Sequence, residues 1–258
     1  MGNGRWEVVD SKAQEFADRI IMVTGAGDGI GRVTAHTLAA HGATVLLLGR
    51  TVSKLESLYD EIYSSDAPEP SIVPMDLMNT NEDKINEMAN AIAGRYGRLD
   101  GILHNASILG TRLPFANSDL NEWREVMQVN FMAPVMLTRL LLPLVERSND
   151  ASVVFTSSSV GNKPRAYWSA YAVSKYALEG LALLLADELE NTSAIRINIV
   201  NPAATRTAMR AAAYPAEDPM TVKTAEELMP LYLYLLGTRH RGEHGELFDP
   251  RTWEPPKR

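Results

Sequence analysis

Six short runs of almost continuous apolar residues punctuate the chain: RIIMVTG at 19–25, ATVLLLG at 43–49, SIVPMD at 71–76, LDGILHN at 99–105, SVVFTS at 152–157 and IRINIVNP at 195–202. A strand covered on one face alternates apolar and polar side chains, whereas a strand covered on both does not. These runs therefore predict a parallel sheet buried between helices. The longer mixed stretches between them read as helices. One begins after NSDLNEW at 117–123, where Ser118 with acidic Asp119 and Glu122 gives cap and first-turn signals. Another, YAVSKYALEGLALLLADELE at 171–190, is apolar almost all round. Strand then helix, repeated roughly six times without a linker or repeat, predicts an α/β fold, a three-layer doubly wound parallel sheet. It forms a single domain over 19–250, with an N-terminal extension at 1–18 and a tail at 251–258.

Composition narrows the function. At 258 residues, with 45% apolar and 22% charged, the chain suits one globular domain. A net charge of −7 without a basic block leaves no footprint for nucleic acid or an anionic membrane. The absence of cysteine removes disulfides, thiolate metal sites and a thiol nucleophile. The start, MGNGRWEVVDSKAQEFADR, lacks the apolar core of a signal peptide, and no apolar run approaches roughly 18 residues, so a cytoplasmic protein is expected. His36 and His41 are five apart rather than the four a helical zinc pair uses, so no metal is expected.

In such a sheet, ligands bind beyond the carboxyl ends of the strands. The first strand runs into TGAGDGIGR at 24–32, where Gly25, Gly27, Gly29 and Gly31 permit a tight turn and a helix start that faces phosphate. Arg50 ends the second strand where a NAD site would carry an acidic residue. It favours a ribose 2′-phosphate, the alternative being a solvated surface arginine. Asp76 ends the third as an acceptor for an adenine amino group or as a turn former. HNAS, TSSS and NPAATRT end the others with small polar residues. Tyr171 and Lys175 are four apart on one helix face, where a cation favours the phenolate of a tyrosine whose ordinary pKa is about 10. An amphipathic helix start is the plain alternative, and Ser158 at a strand end argues against it.

Together these residues resemble the short-chain dehydrogenase/reductases in their compact, single-domain NAD(P)-dependent branch, which implies a Rossmann fold. TGAGDGIG is similar to the family's T-G-x-x-x-G-x-G through Thr24, Gly25, Gly29 and Gly31. HNAS is similar to N-N-A-G through Asn105 and Ala106, QVNFMAP carries the helical asparagine as Asn130, and Ser158, Tyr171 and Lys175 have the serine-to-Y-x-x-x-K spacing. VFTSSSVG, NPAATRTAMRA and LMPLYLYLLG resemble the bacterial YciK-type branch. The resemblance implies hydride transfer between NADP(H), preferred over NAD(H), and a small-molecule carbonyl or alcohol. Tyr171 is then the general acid, Ser158 polarises the substrate oxygen, Lys175 lowers the tyrosine pKa and binds ribose, and Asn130 anchors a relay water. The implied cofactor cradle comprises Gly25, Gly27, Asp28, Gly29, Ile30, Gly31, Arg50, Asp76, Leu77, Asn105, Ala106, Ser107, Tyr171, Lys175, Pro202, Thr205 and Thr207.

This chain departs from the pattern at several positions. Ser107 and Ala203 replace glycines, His104 replaces the first asparagine, Thr205 stands where an aliphatic residue is usual, and Asp28 is acidic beside the expected 2′-phosphate. An extended-type epimerase or dehydratase is disfavoured by the glycine spacing and the short C-terminal part. A catalytically weak or inactive NADP-sensing scaffold is disfavoured by the retained serine, tyrosine and lysine. Residues 207–223, rich in Ala, Met, Tyr and Pro, read as a substrate lid. Leucines on every side of the 171–190 helix, and in MLTRLLLPLV at 136–145, predict a two-fold interface and hence a homodimer or homotetramer. The alternative is that neighbouring helices of the same chain bury them all.

Overall fold

The computed structural model describes residues 15–238, 240 and 242–256. Most of the expected N-terminal extension and the end of the tail lie outside them. Among the described residues, seven strands form one parallel sheet: β1 (Ile20–Thr24), β2 (Thr44–Gly49), β3 (Ser71–Pro74), β4 (Gly101–His104), β5 (Ser152–Thr156), β6 (Arg196–Val200) and β7 (Glu246–Phe248). Their order is β3-β2-β1-β4-β5-β6-β7. Each apolar run of the sequence is a strand within a residue or two of its expected ends. β7 has no such run because only three residues pair at the sheet edge, with Asn198 opposite Glu246.

The helices explain why those runs do not alternate. On one face α1 (Gly29–Ala40), α2 (Val52–Tyr63) and α8 (Met229–Leu236) bury Leu38, Leu58 and Tyr232 against Ile21, Val23, Val45 and Leu47. On the other, α3 (Glu82–Tyr96), α4 (Leu120–Met127), α5 (Ala133–Val145) and α6 (Ser169–Leu189) bury Ile85, Leu141 and Leu178 against Met22, Leu46, Leu48 and Phe155. Successive strand residues point to opposite cores, so every position is apolar. The short α7 (Ala208–Ala213) follows β6 and lines the cleft described below.

Two local expectations are corrected. The cap of α4 is Asp119, whose Oδ1 accepts from the Asn121 N–H at 2.9 Å. Ser118 instead donates to the Phe115 carbonyl and accepts from the Trp123 indole. Secondly, α4 and α5 join through a π turn, Gln128–Met132, into one rod. Leu120–Val145 is then long and apolar enough to cross a membrane by length and composition, against the expectation of no such stretch. Half of its most apolar window is buried within this chain.

The strand order reverses direction at β1, with β2 on one side and β4 on the other. Helices leaving these strands diverge to opposite faces and open a crevice at the carboxyl edge.

Candidate active site

The crevice begins at the glycine turn after β1. Gly25 has φ 70°, a left-handed conformation that glycine adopts without strain. A side chain on Gly31 would bring its Cβ to 2.3 Å from the Gly25 carbonyl oxygen, so the turn closes this tightly only with glycine there. The Thr24 hydroxyl fastens the turn to β4: it donates to the Leu103 carbonyl at 3.2 Å and accepts from the N–H groups of Asn105 and Ala106 at 2.9 and 3.0 Å. The first turn of α1 is thereby held at the cleft, a geometry suited to pyrophosphate.

Asp28 caps α1 by accepting from the Gly29 N–H at 2.8 Å, and its other oxygen is bound by the Lys54 ammonium from the first turn of α2. That hydrogen bond holds the carboxylate below its ordinary pKa. Arg50, at the end of β2, is exposed on the cleft wall, and among the described residues no carboxylate pairs with it. Asp76 is engaged as a turn former, accepting from the Met78 N–H and the Asn79 amide at 3.1 and 2.6 Å, while still lining the cleft.

At the far end, α6 presents Tyr171 and Lys175, both buried. The Lys175 ammonium donates to the Thr156 carbonyl at 2.9 Å and lies 5.6 Å from the centroid of the Tyr171 ring. Burial pushes this lysine down to about 8, against a smaller opposing pull from Glu179. The Tyr171 phenol departs from the simple expectation of a lowered pKa. Burial raises it, and the hydroxyls of Ser158 and Ser107, rather than the lysine charge, pull the other way. Asn130, in the π turn, spends its side chain on the β4 exit: Oδ1 accepts from the Ile108 N–H at 2.8 Å, while Nδ2 donates to the Ile108 carbonyl at 2.9 Å and to Ser174 at 3.0 Å. His104 is a core residue, hydrogen-bonded to Thr138 at 2.9 Å, stacked on Phe155 and pushed down by burial to about 3.

One cleft of about 510 Å³ gathers Ser158, Tyr171, Lys175, Arg50, Asp76, Leu77, Asn105, Ala106, Ser107, Pro202, Thr205, Thr207 and the turn residues Gly25, Gly27, Asp28, Gly29 and Ile30. That volume suits a cofactor with a small substrate. Gly31 and Asn130 do not line it and act from behind, one through close packing and the other through Ile108. Thr205 is buried with its hydroxyl on the Pro202 carbonyl, and Thr207 caps α7 by accepting from the Arg210 N–H at 3.1 Å. The sequence reading missed Lys54 and the cleft residue Trp168, whereas Met209 and Arg210 fall within the 207–223 segment expected to cover the substrate. Lys54 lies in the helix turn directly after Arg50, a placement that the strand-to-helix pattern contained. Among the described residues no cluster fit for a metal ion occurs.

The geometry has counterparts among known proteins. Residues 19–218 match the family model for short chain dehydrogenases. The oxidoreductase YciK of Escherichia coli K12 is 48% identical over 239 residues, covering 93% of this chain and 94% of its own. A short chain dehydrogenase from Shigella flexneri 2a, solved in complex with NADP, superposes with a TM-score of 0.90 at 47% identity over 93% of this chain and 100% of the other. One from Escherichia coli CFT073, complexed with NADPH, gives 0.90 at 48% identity over 93% and 99%.

Proposed function

The chain belongs to the short-chain dehydrogenase family, and from that premise we propose that it transfers a hydride between NADP(H) and the carbonyl or alcohol carbon of a small-molecule substrate. The observation that carries this reading is the convergence of Ser158, Tyr171 and Lys175 in the cleft that the glycine turn opens. A phosphate-binding turn alone would serve a sensor or scaffold equally well.

Bound NADPH supplies the hydride. The chain supplies the proton and the electrostatics. In carbonyl reduction the Tyr171 phenol, kept protonated by burial, donates its proton to the substrate oxygen as the carbonyl carbon gains hydride, leaving an alcohol and a phenolate. Ser158 donates a hydrogen bond to the same substrate oxygen and stabilises the charge that develops there. Lys175, with a pKa near 8, exchanges protons readily at neutral pH and returns one toward the phenolate. Asn130 anchors the water linking Lys175 to solvent. Since its side-chain amide is engaged with Ile108 and Ser174, the anchoring falls to its main-chain carbonyl.

The 2′-phosphate of NADP falls to Arg50. Asp28 does not oppose it, because the Lys54 ammonium neutralises that carboxylate. The NADP and NADPH complexes of the similar Shigella and Escherichia enzymes support this preference. We place the protein in the cytoplasm as a homo-oligomer acting on small molecules, with residues 207–223 covering the substrate.

The test is spectrophotometric: NADPH oxidation over aldehydes, ketones, diketones, quinones and 3-oxoacyl thioesters. Tyr171→Phe is expected to abolish turnover of the best substrate while NADPH binding stays within about twofold, the mark of a group used in the chemical step. A variant keeping more than about a tenth of wild-type turnover removes Tyr171 from the role of acid.

A further inference from the structure

Among the described residues, four buried side-chain polar atoms lack a hydrogen-bond partner: Arg19 Nε, Thr80 Oγ1, His104 Nδ1 and Ser107 Oγ. Of these residues Ser107 alone lines the active-site cleft. Its main chain is fixed on both sides. The Ala106 N–H donates to Thr24 at 3.0 Å, and the Ile108 N–H and carbonyl are both held by Asn130. The hydroxyl therefore stands on a rigid wall, buried and without an aligned hydrogen bond, at the position where the N-N-A-G pattern has a glycine with no side chain to donate. A buried hydroxyl without a partner is costly, so its presence needs an occasion on which it is satisfied.

Ser107 lines the same cleft as Tyr171 and Ser158, and the two serine hydroxyls are the groups that pull the Tyr171 phenol down against burial. Ser107 and the phenol interact without reaching hydrogen-bond alignment. A serine turns readily about its Cα–Cβ bond between staggered rotamers, so its O–H is not fixed in this orientation. Resting on the proton-transfer role given to Tyr171 above, we propose that Ser107 is a positioning residue whose hydroxyl donates a hydrogen bond to the Tyr171 oxygen when that oxygen carries the negative charge left by proton transfer. Ser158 is then free for the substrate oxygen, and the phenolate keeps a donor of its own.

The surroundings leave room for such a donor. The cation on the same helix, Lys175, faces the ring and gives its hydrogen bond to Thr156. Glu179, one turn further, is held by Ser157 and has its pKa raised by burial. The Arg112 guanidinium lies over the Trp168 ring, and Arg210 is paired with Glu217. On β4, His104 is neutral. Burial raises the phenol and the two serines oppose it, which is the direction the proposal needs.

The proposal has a direction-specific signature. Alcohol oxidation needs the phenolate, so its rate rises with pH up to the tyrosine pKa, and a donor to the phenolate moves that limb to lower pH. Loss of one charge-assisted hydrogen bond corresponds to about one pH unit. In Ser107→Ala the limb should move up by about one unit and oxidation on it should slow about tenfold. Any loss of reduction near pH 6 should be smaller than the loss of oxidation on the limb, and the melting temperature should be unchanged or higher, since no structural hydrogen bond is lost. Ser107→Thr, which keeps the hydroxyl, should restore the limb. A limb that does not move in Ser107→Ala, or a melting temperature that falls together with both directions of catalysis, overturns the proposal. Absence of turnover by the unsubstituted enzyme, or full turnover by Tyr171→Phe, overturns the proposed function itself and this inference with it.

Discussion

Arg50 and Asp28 carry opposite charges on the rim of one cleft, and what reconciles them is Lys54, paired with Asp28 across 26 residues of sequence. Arg50→Asp should weaken NADPH by roughly 2 kcal/mol, the scale of a lost charge-assisted hydrogen bond with repulsion in its place, and leave NADH nearly unchanged in a fluorescence titration. Equal weakening of both cofactors would reduce Arg50 to a surface residue. Lys54→Ala exposes the Asp28 carboxylate and should weaken NADPH in the same direction. The chemistry legible in the sequence is of the kind set by local spacing: the glycine turn, the Tyr171 and Lys175 pair, and Arg50 at a strand end. Lys54 escaped because its meaning depends on a partner brought near only by the β1 and β2 pairing. Ala203 shows the intermediate case. The sequence marked it as a replaced glycine, and the structure gives it φ 58°, a left-handed conformation strained for a residue with a Cβ. Relief of about 1 to 2 kcal/mol of strain, offset by about 0.5 to 1 kcal/mol of glycine chain entropy, predicts that Ala203→Gly melts no lower than the parent protein and up to a few degrees higher.

Among the elements, α6 concentrates the function. Tyr171, Lys175 and Glu179 follow one another at four-residue intervals on one face, which places acid, cation and carboxylate along the end of β5. Glu179 accepts a hydrogen bond from Ser157, the neighbour of Ser158, so the helix holds the loop that carries the substrate-polarising serine. Glu179→Ala should lower kcat about five- to tenfold with NADPH affinity unchanged, and Glu179→Gln, which still accepts from Ser157, should recover most of it. A shift in NADPH binding instead would move the role of Glu179 to the cofactor. The apolar pattern of α6 and its polar head were legible, as were the six main strands, because burial on both faces leaves a continuous signal. The π turn at Asn130 left none: its register depends on the fit of α4 and α5 against α3 and α6, and β7 is too short for any period to emerge.

At the scale of the whole molecule, the leucines of α6 divide into two populations. Leu178 and Leu189 are buried in the core beneath the sheet face, and Leu181 and Leu185 pack partly against it. Leu183 and Leu184 remain 51% and 54% exposed, with Val173 and Tyr176 beside them on the same helix and Met132 at the π turn between α4 and α5. The alternative that the chain's own helices cover all of this surface therefore fails for one face of α6. Isolated exposed leucines are ordinary, but a row of large apolar residues along a single helix is the feature that marks association surfaces. A two-fold axis running across α6 sets each copy of the row against the other, the self-complementary arrangement that closes with two subunits and leaves other faces open to a second dimerisation. The enzyme is thus expected to run as a dimer or tetramer of the 28.4 kDa chain in light scattering on a sizing column at micromolar concentration. Leu183→Glu places a carboxylate in the middle of the row, opposite its own copy, where like charges meet without solvent. That variant should fall to monomer, or from tetramer to dimer, with circular dichroism unchanged, because Leu183 faces away from the core. A monomeric parent protein would remove the interface altogether, and an oligomer indifferent to Leu183→Glu would move it to another face.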